Sequence, residues 1–228
     1  MPSFGQKNRE FTGGGKSFCA PTAASNALMW LADRGYPALK PTGADCSSAQ
    51  KEMIKQLAEL MGTFREGTSI SSFKCGINTY LRNAGYAPKA WAFTGHGSPA
   101  GALTPPDLDL VKKLSQDSTV LWLGLGWYDL DESSRTFRRS NGHWVTLVGY
   151  GKDPEGRADQ PCFVIADPET PSGYRYVTLN MLQEGRLSNG SARRGTRGYY
   201  SFAELNTQLA GRVPRYCVLE SIQALTLE

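Results

Sequence analysis

Apolar residues repeat at helical spacing up to about residue 117 and at strand spacing from residue 118 onward, and this switch limits the folds open to the chain. Residues 20 to 34 place Ala23, Ala24, Ala27, Leu28 and Leu31 on one face, with Pro21 suited to a first turn and Gly35 to a stop. Residues 47 to 61 (Met53, Ile54, Leu57, Leu60, Met61, then Gly62) and roughly 70 to 84 (then Gly85) predict two more helices. A fourth, shorter one is expected over 104 to 117, entered through Pro105-Pro106. Beyond it, segments 118–130, 143–151, 162–168, 174–180 and 215–227 are rich in β-branched and aromatic residues between turn formers, which predicts strands. Helices in one half and strands in the other predict an α+β domain over 1–228. Its helical lobe would take about 1–117 and its β lobe about 118–228. A cleft between such lobes is a natural place for a site.

Composition narrows the partners. With 228 residues, 40% of them hydrophobic and 20% charged, the chain can bury a sizeable core. No apolar run reaches the roughly eighteen residues of a membrane span. No charged-then-apolar leader follows Met1-Pro2, so no uncleaved signal peptide is expected; an export signal already cut away is compatible with this start. The net charge of +4 is mild. The densest basic stretch, residues 185–198, interleaves four arginines with glycine and serine but no aromatics, which reads as a solvated loop and not a nucleic-acid site. Five cysteines (19, 46, 75, 162, 217) show no C-x-x-C pair, and two histidines are too few to complete a structural zinc site with them. If one cysteine is a nucleophile, Cys46, Cys75, Cys162 and Cys217 remain, enough for two disulfides in a secreted or periplasmic protein. Four ordinary thiols in a cytoplasmic protein are the alternative.

Cys19 lies between "GGGKSF" and the first helix. A helix N-terminus carries free N–H groups and the positive end of the helix dipole, an environment that favours thiolate over thiol. Cys46 also precedes a helix, but Asp45 beside it opposes ionisation. A thiolate nucleophile needs a base. His143 opens a hydrophobic strand after an Asn-Gly turn, where the backbone is fixed and the imidazole can reach a cleft. His96, in "AFTGHGSPAG", reads as an exposed loop residue. Asp167 ends the apolar strand "CFVIAD", 24 residues after His143, and a carboxylate there needs a partner. It is the candidate to orient the imidazole, or else a turn residue before Pro168. Trp127, Tyr128 and Trp144 are candidates for subsite walls, and core packing explains them equally well.

The segments "FCAPTAASNALMWLA", "NGHWVTLVGYG" and "VIADPETPSG" resemble the papain-like cysteine peptidases, nearest to bacterial peptidases related to the bacteriocin-processing ones. The resemblance implies a papain-like fold: a helical lobe carrying the nucleophile helix, facing an antiparallel β-sheet lobe. It implies Cys19 as nucleophile, His143 as general base and acid, Asp167 as orienting carboxylate, and hydrolysis of peptide or amide bonds through a thioester without a metal or organic cofactor. Peptides or proteins would be the substrates. A transamidase using the same triad, or an inactive binding domain, are the alternatives. In that family a glutamine six residues before the nucleophile helps bind the oxyanion; here Gly13 stands there. Gln6 can serve only if the intervening glycine-rich stretch loops out. Otherwise another donor is needed, with Ser17 a candidate.

Overall fold

Helix α1 (Cys19–Ala32) is buried at every residue except Trp30, because its alanines let neighbours approach from all sides. The computed structural model describes residues 1–42, 45–96, 103–114, 118–157, 161–171, 173–206 and 214–228. On one side α1 packs with α2 (Cys46–Leu60) and α3 (Ile70–Asn83) through Leu28, Leu31, Met53, Leu57, Phe73 and Ile77. Asp45 caps α2 by accepting from the Ser47 and Ser48 amides, and Ser69 caps α3 through the Ser72 amide. The expected fourth helix is shorter. Only Asp109–Leu114 (α4) is helical, since Pro105-Pro106 holds the approach extended, and residues 115–117 lie outside the described ones.

Nine strands follow: β1 (Pro88–Gly95), β2 (Thr119–Asp131), β3 (Thr136–Tyr150), β4 (Cys162–Ala166), β5 (Tyr174–Met181), β6 (Arg186–Asn189), β7 (Ala192–Gly195), β8 (Tyr200–Phe202) and β9 (Arg215–Leu227). Six of them close a ring, β2-β3-β4-β5-β8-β9 and back to β2, and every pairing in it is antiparallel. Leu121, Leu123, Leu125, Val145, Leu147, Ile165, Val177, Leu179, Leu219 and their neighbours fill the interior at the two-residue period of a strand. Strand β1 adds to the outside of β9, and the β6–β7 hairpin adds to β3.

This architecture overturns the papain-like expectation of a helical lobe facing an open sheet lobe. The strands form a closed barrel, and the helices are a layer laid on its wall. One strand of the half expected to be helical, β1, belongs to the sheet. The Ala23 carbonyl of α1 accepts from Trp122 Nε1 of β2 at 3.0 Å and from Thr146 Oγ1 of β3 at 2.7 Å, fastening helix to barrel. Residues 185–198 are also not a plain loop, because β6 and β7 pair there across an Asn-Gly turn. The expected disulfides are absent: all five cysteines are free, Cys46 and Cys75 exposed, Cys19, Cys162 and Cys217 buried.

Candidate active site

The site is built where the N-terminus of α1 meets the middle of β3 and the end of β4. Ahead of α1, Gly13, Gly14 and Gly15 all have φ between 63° and 77°, a left-handed run that other residues resist. Gly15 is needed for a second reason, since a Cβ there would lie 1.8 Å from the Gln6 carbonyl oxygen. The chain between Gln6 and Gly15 therefore loops out and returns. Gln6, buried at 3% exposure, donates its backbone N–H to the Pro168 carbonyl at 2.8 Å and its side-chain Nε2 to the Lys16 carbonyl at 3.2 Å. It thus bridges the approach to Cys19 and the loop after Asp167, although it is not among the residues that line the cleft. Ser17 is otherwise engaged: its hydroxyl donates to the Arg65 carbonyl at 2.8 Å.

Cys19 is the first residue of α1, and no side chain caps that terminus. His143 does not open a strand after a turn, as its sequence suggests: Asn141 and Gly142 before it pair with Trp127 and Gly126 of β2, and His143 itself lies midway along β3 opposite Leu125. Its Nε2 donates to Asp167 Oδ1 at 2.7 Å, which leaves Nδ1 for the Cys19 thiol, its hydrogen-bond partner on the other side of the ring. Asp167 follows β4 directly and is 4% exposed. It also accepts from the Glu169 amide at 2.9 Å, from Thr170 Oγ1 at 3.3 Å and from Arg175 Nη1 at 3.3 Å. A carboxylate this buried is stable only when so paired.

The charges follow from the contacts. Burial alone would lower the His143 pKa, but the hydrogen bonds and charges of Asp167 and Cys19 outweigh it and raise the pKa to about 10. Burial alone would raise that of Asp167, yet His143, the Glu169 amide and Arg175 hold it below the usual value. Among the other cysteines, burial pushes the Cys162 and Cys217 thiols up, away from reactivity. Cys46 is exposed and contacts Lys40 Nζ at 3.1 Å, far in sequence from either histidine.

Cys19 and His143 open onto a cleft of about 690 Å³. One wall is the segment from Gly62 to Ser72; the other is formed by β2, β3 and β9 through Gly124, Arg139, Gly142, Glu220 and Ser221. The first wall is tied to residues near Cys19 and His143, by Ser17 to Arg65 and by Trp144 Nε1 donating to the Thr68 carbonyl at 3.2 Å. Trp144 lines the cleft and also stacks on Phe73 with ring centroids 4.3 Å apart. Tyr128 is fully buried and does not line it, and Trp127 packs against the barrel interior.

His96 corrects the sequence reading. It is buried at 7% exposure, not an exposed loop residue, although residues 97–102 after it lie outside the described ones. Its Nε2 bonds with Tyr199 Oη at 3.0 Å and its Nδ1 lies 3.6 Å from Glu220 Oε1. Glu220 was not foreseen as part of any site. Among the described residues no cluster of three or more metal-ligating side chains occurs, and no helix is long and apolar enough to cross a membrane. Compared with known proteins, the chain matches no family model and no curated sequence.

The histidine pair makes the site readable by NMR. The ring protons of His143 should stay unchanged from pH 6 to 9 and titrate near pH 10. Asp167→Asn should bring that midpoint down by more than about one unit, because it removes the anion facing Nε2. A raised folded pKa means that the stability due to protonated His143 is complete below its unfolded value, about 6.5, and is lost as pH rises through about 10. A His143 resonance that titrates near 6.5 in the unsubstituted protein would contradict this assignment.

Proposed function

We propose that this chain is a cysteine-type hydrolase of peptide or amide bonds, with Cys19, His143 and Asp167 as its triad. The observation that carries the reading is the imidazole of His143, held at 2.7 Å by a buried carboxylate on one side and facing the Cys19 thiol on the other. The motif resemblance to cysteine peptidases supports the same chemistry. Cys19 Sγ attacks the substrate carbonyl carbon, and His143 gives its Nδ1 proton to the leaving amine as the C–N bond breaks. A thioester remains on Cys19. Water then gives a proton to His143 and attacks the thioester, releasing the acid and restoring the Cys19 sulfur and protonated His143 with which the cycle began. Asp167 holds the ring and balances its charge throughout. The tetrahedral oxyanion is met by the backbone N–H of Cys19 at the start of α1.

The test is to trap the intermediate. The protein is mixed with a peptide library, quenched in acid within milliseconds to seconds and analysed by mass spectrometry. A hydroxylamine-labile acyl group on the peptide containing Cys19 is expected. Acylation at another cysteine, or product formation without any adduct or dependence on Cys19, would overturn the reading.

A further inference from the structure

The cleft floor carries a second constellation that the triad does not use. In β9, Glu220 is an extra residue, because Gly124 of β2 pairs with Ser221 and Leu125 with Leu219. In β3, Ser140 is extra, because Trp127 pairs with Asn141 and Tyr128 with Arg139. Such bulges re-aim side chains. Here they bring Arg139, Glu220 and Ser221 to the cleft, on either side of β2. Between them β2 carries two glycines. A Cβ at Gly124 would lie 2.4 Å from Ser221 Oγ, and one at Gly126 would lie 2.2 Å from Glu220 Oε1. Two bulges and two glycines thus make room for three polar side chains beside the triad.

Their hydrogen bonding is unbalanced in one direction. Glu220 is 7% exposed, and its Oε1 accepts from Tyr128 Oη at 2.7 Å and from Arg139 Nε at 2.6 Å, while its Oε2 accepts from Arg139 Nη2 at 2.9 Å. The carboxylate is therefore largely saturated. Arg139 has five N–H donors in a rigid fork, and only the Nε–Nη2 edge is taken by Glu220. Glu220 makes no hydrogen bond to its Nη1. The guanidinium lies over Gly142, whose Cβ would sit 2.6 Å from Nη2, one residue from His143. Ser221, 1% exposed, has an Oγ with no partner. Donors are in surplus, so the fitting ligand brings acceptors. Glu66 on the opposite wall is exposed, where solvent screens its charge.

We infer that Arg139, oriented by Glu220 and assisted by Ser221, is a specificity-determining residue that binds a carboxylate of the substrate next to the scissile bond. The inference rests on the reading of Cys19 and His143 as the reacting pair for its location, but not for its test. A substrate carboxylate takes the second edge of the Arg139 fork while Glu220 keeps the first, so the arginine stands between two anions and neither is left unpaired. The source can be an acidic side chain or the end of a peptide chain.

Binding is measured by fluorescence anisotropy on Cys19→Ala protein, which has no thiol to acylate. Fluorescein-labelled tetrapeptide amides are compared in pairs that differ only in Glu against Gln at one position. A third set with a free C-terminal carboxylate separates a chain-end from a side-chain source. One acidic set should bind about tenfold tighter than its neutral counterpart, the size of a charged hydrogen-bonded contact. Combining Arg139→Gln with Glu220→Gln should remove the preference, so that acidic and neutral peptides bind alike. Arg139→Lys, which keeps the charge but not the fork, should lose most of it if the double variant does not fold. Equal binding of acidic and neutral peptides, no binding of any, or a preference that survives both Arg139 variants would overturn the inference. Failure to trap an acyl group at Cys19 while the preference holds would sink the hydrolase reading alone.

Discussion

Cys19→Ala and His143→Ala should each lower hydrolysis of a susceptible peptide by about 10⁴-fold or more, with circular dichroism close to the unsubstituted protein. Melting should stay close for Cys19→Ala and fall for His143→Ala, which takes a partner from buried Asp167. The two losses should not add. Nucleophile and base act as one unit, so removing both should cost little more than removing either. Neither change opens a large hole in the core, because Cys19 sits at the start of α1 and His143 faces the cleft. His96→Ala serves as the control. It removes a buried partner of Tyr199 and Glu220 and should reduce stability more than the turnover of folded protein. Turnover that depends on His96 and not on His143 would assign the base wrongly.

The second large effect is on stability. Glu220→Ala should destabilise the fold by about 3–5 kcal/mol, measured by urea unfolding, because it leaves the Arg139 guanidinium and Tyr128 hydroxyl without their buried acceptor. Replacing both members of the pair by apolar residues, Glu220→Leu with Arg139→Met, should recover most of that loss. The pair also sets an acid limit. Burial alone would raise the Glu220 pKa, but His96 and Arg139 outweigh it and hold it at about 2. A depressed folded pKa gives stability that is complete above the unfolded value of about 4.5 and is lost as pH falls through about 2. The double apolar variant should therefore lose less stability than the unsubstituted protein between pH 4.5 and 2. An unchanged acid profile would show that Glu220 is not ionised in the fold.

Much of the site could be read from the chain, because its signals are local. A cysteine before a small-residue helix, a histidine in an apolar strand and an aspartate closing one are each visible within a few residues, although Asn141-Gly142 belongs to the strand of His143 and is not a turn before it. The three long helices and strands β2, β3, β4, β5 and β9 announce themselves by period. Closure of the barrel does not. It depends on which strands pair, and one link of the ring, β8 to β9, rests on a three-residue strand with a single register pair, Ser201 with Val218. Strand β1 begins on Pro88 and is only partly buried along most of its length, so it shows neither a clean alternation nor an apolar run. Hairpin β6–β7 was hidden by its arginines, which an outer strand can expose. Glu220 was hidden for a different reason. A bulge is a mismatch between two strands, and nothing in "CVLESIQAL" shows where its partner will slip.

The shared Ala23 carbonyl has a mechanical consequence. Cys19 stands four residues from Ala23 on α1, about 6 Å along the helix axis. His143 stands three residues from Thr146 on β3, about 10 Å along the strand. With the Ala23–Thr146 bond as one short side, these two arms form a small braced frame whose opposite side is the gap between thiol and imidazole. Both arms are regular secondary structure, and the Trp122 bond to the same carbonyl stops the frame from shearing. The frame is also tied across the cleft, because Ser17 holds the Arg65 carbonyl and Trp144 holds that of Thr68, so the opposite wall shifts only with the arms or by giving up those bonds.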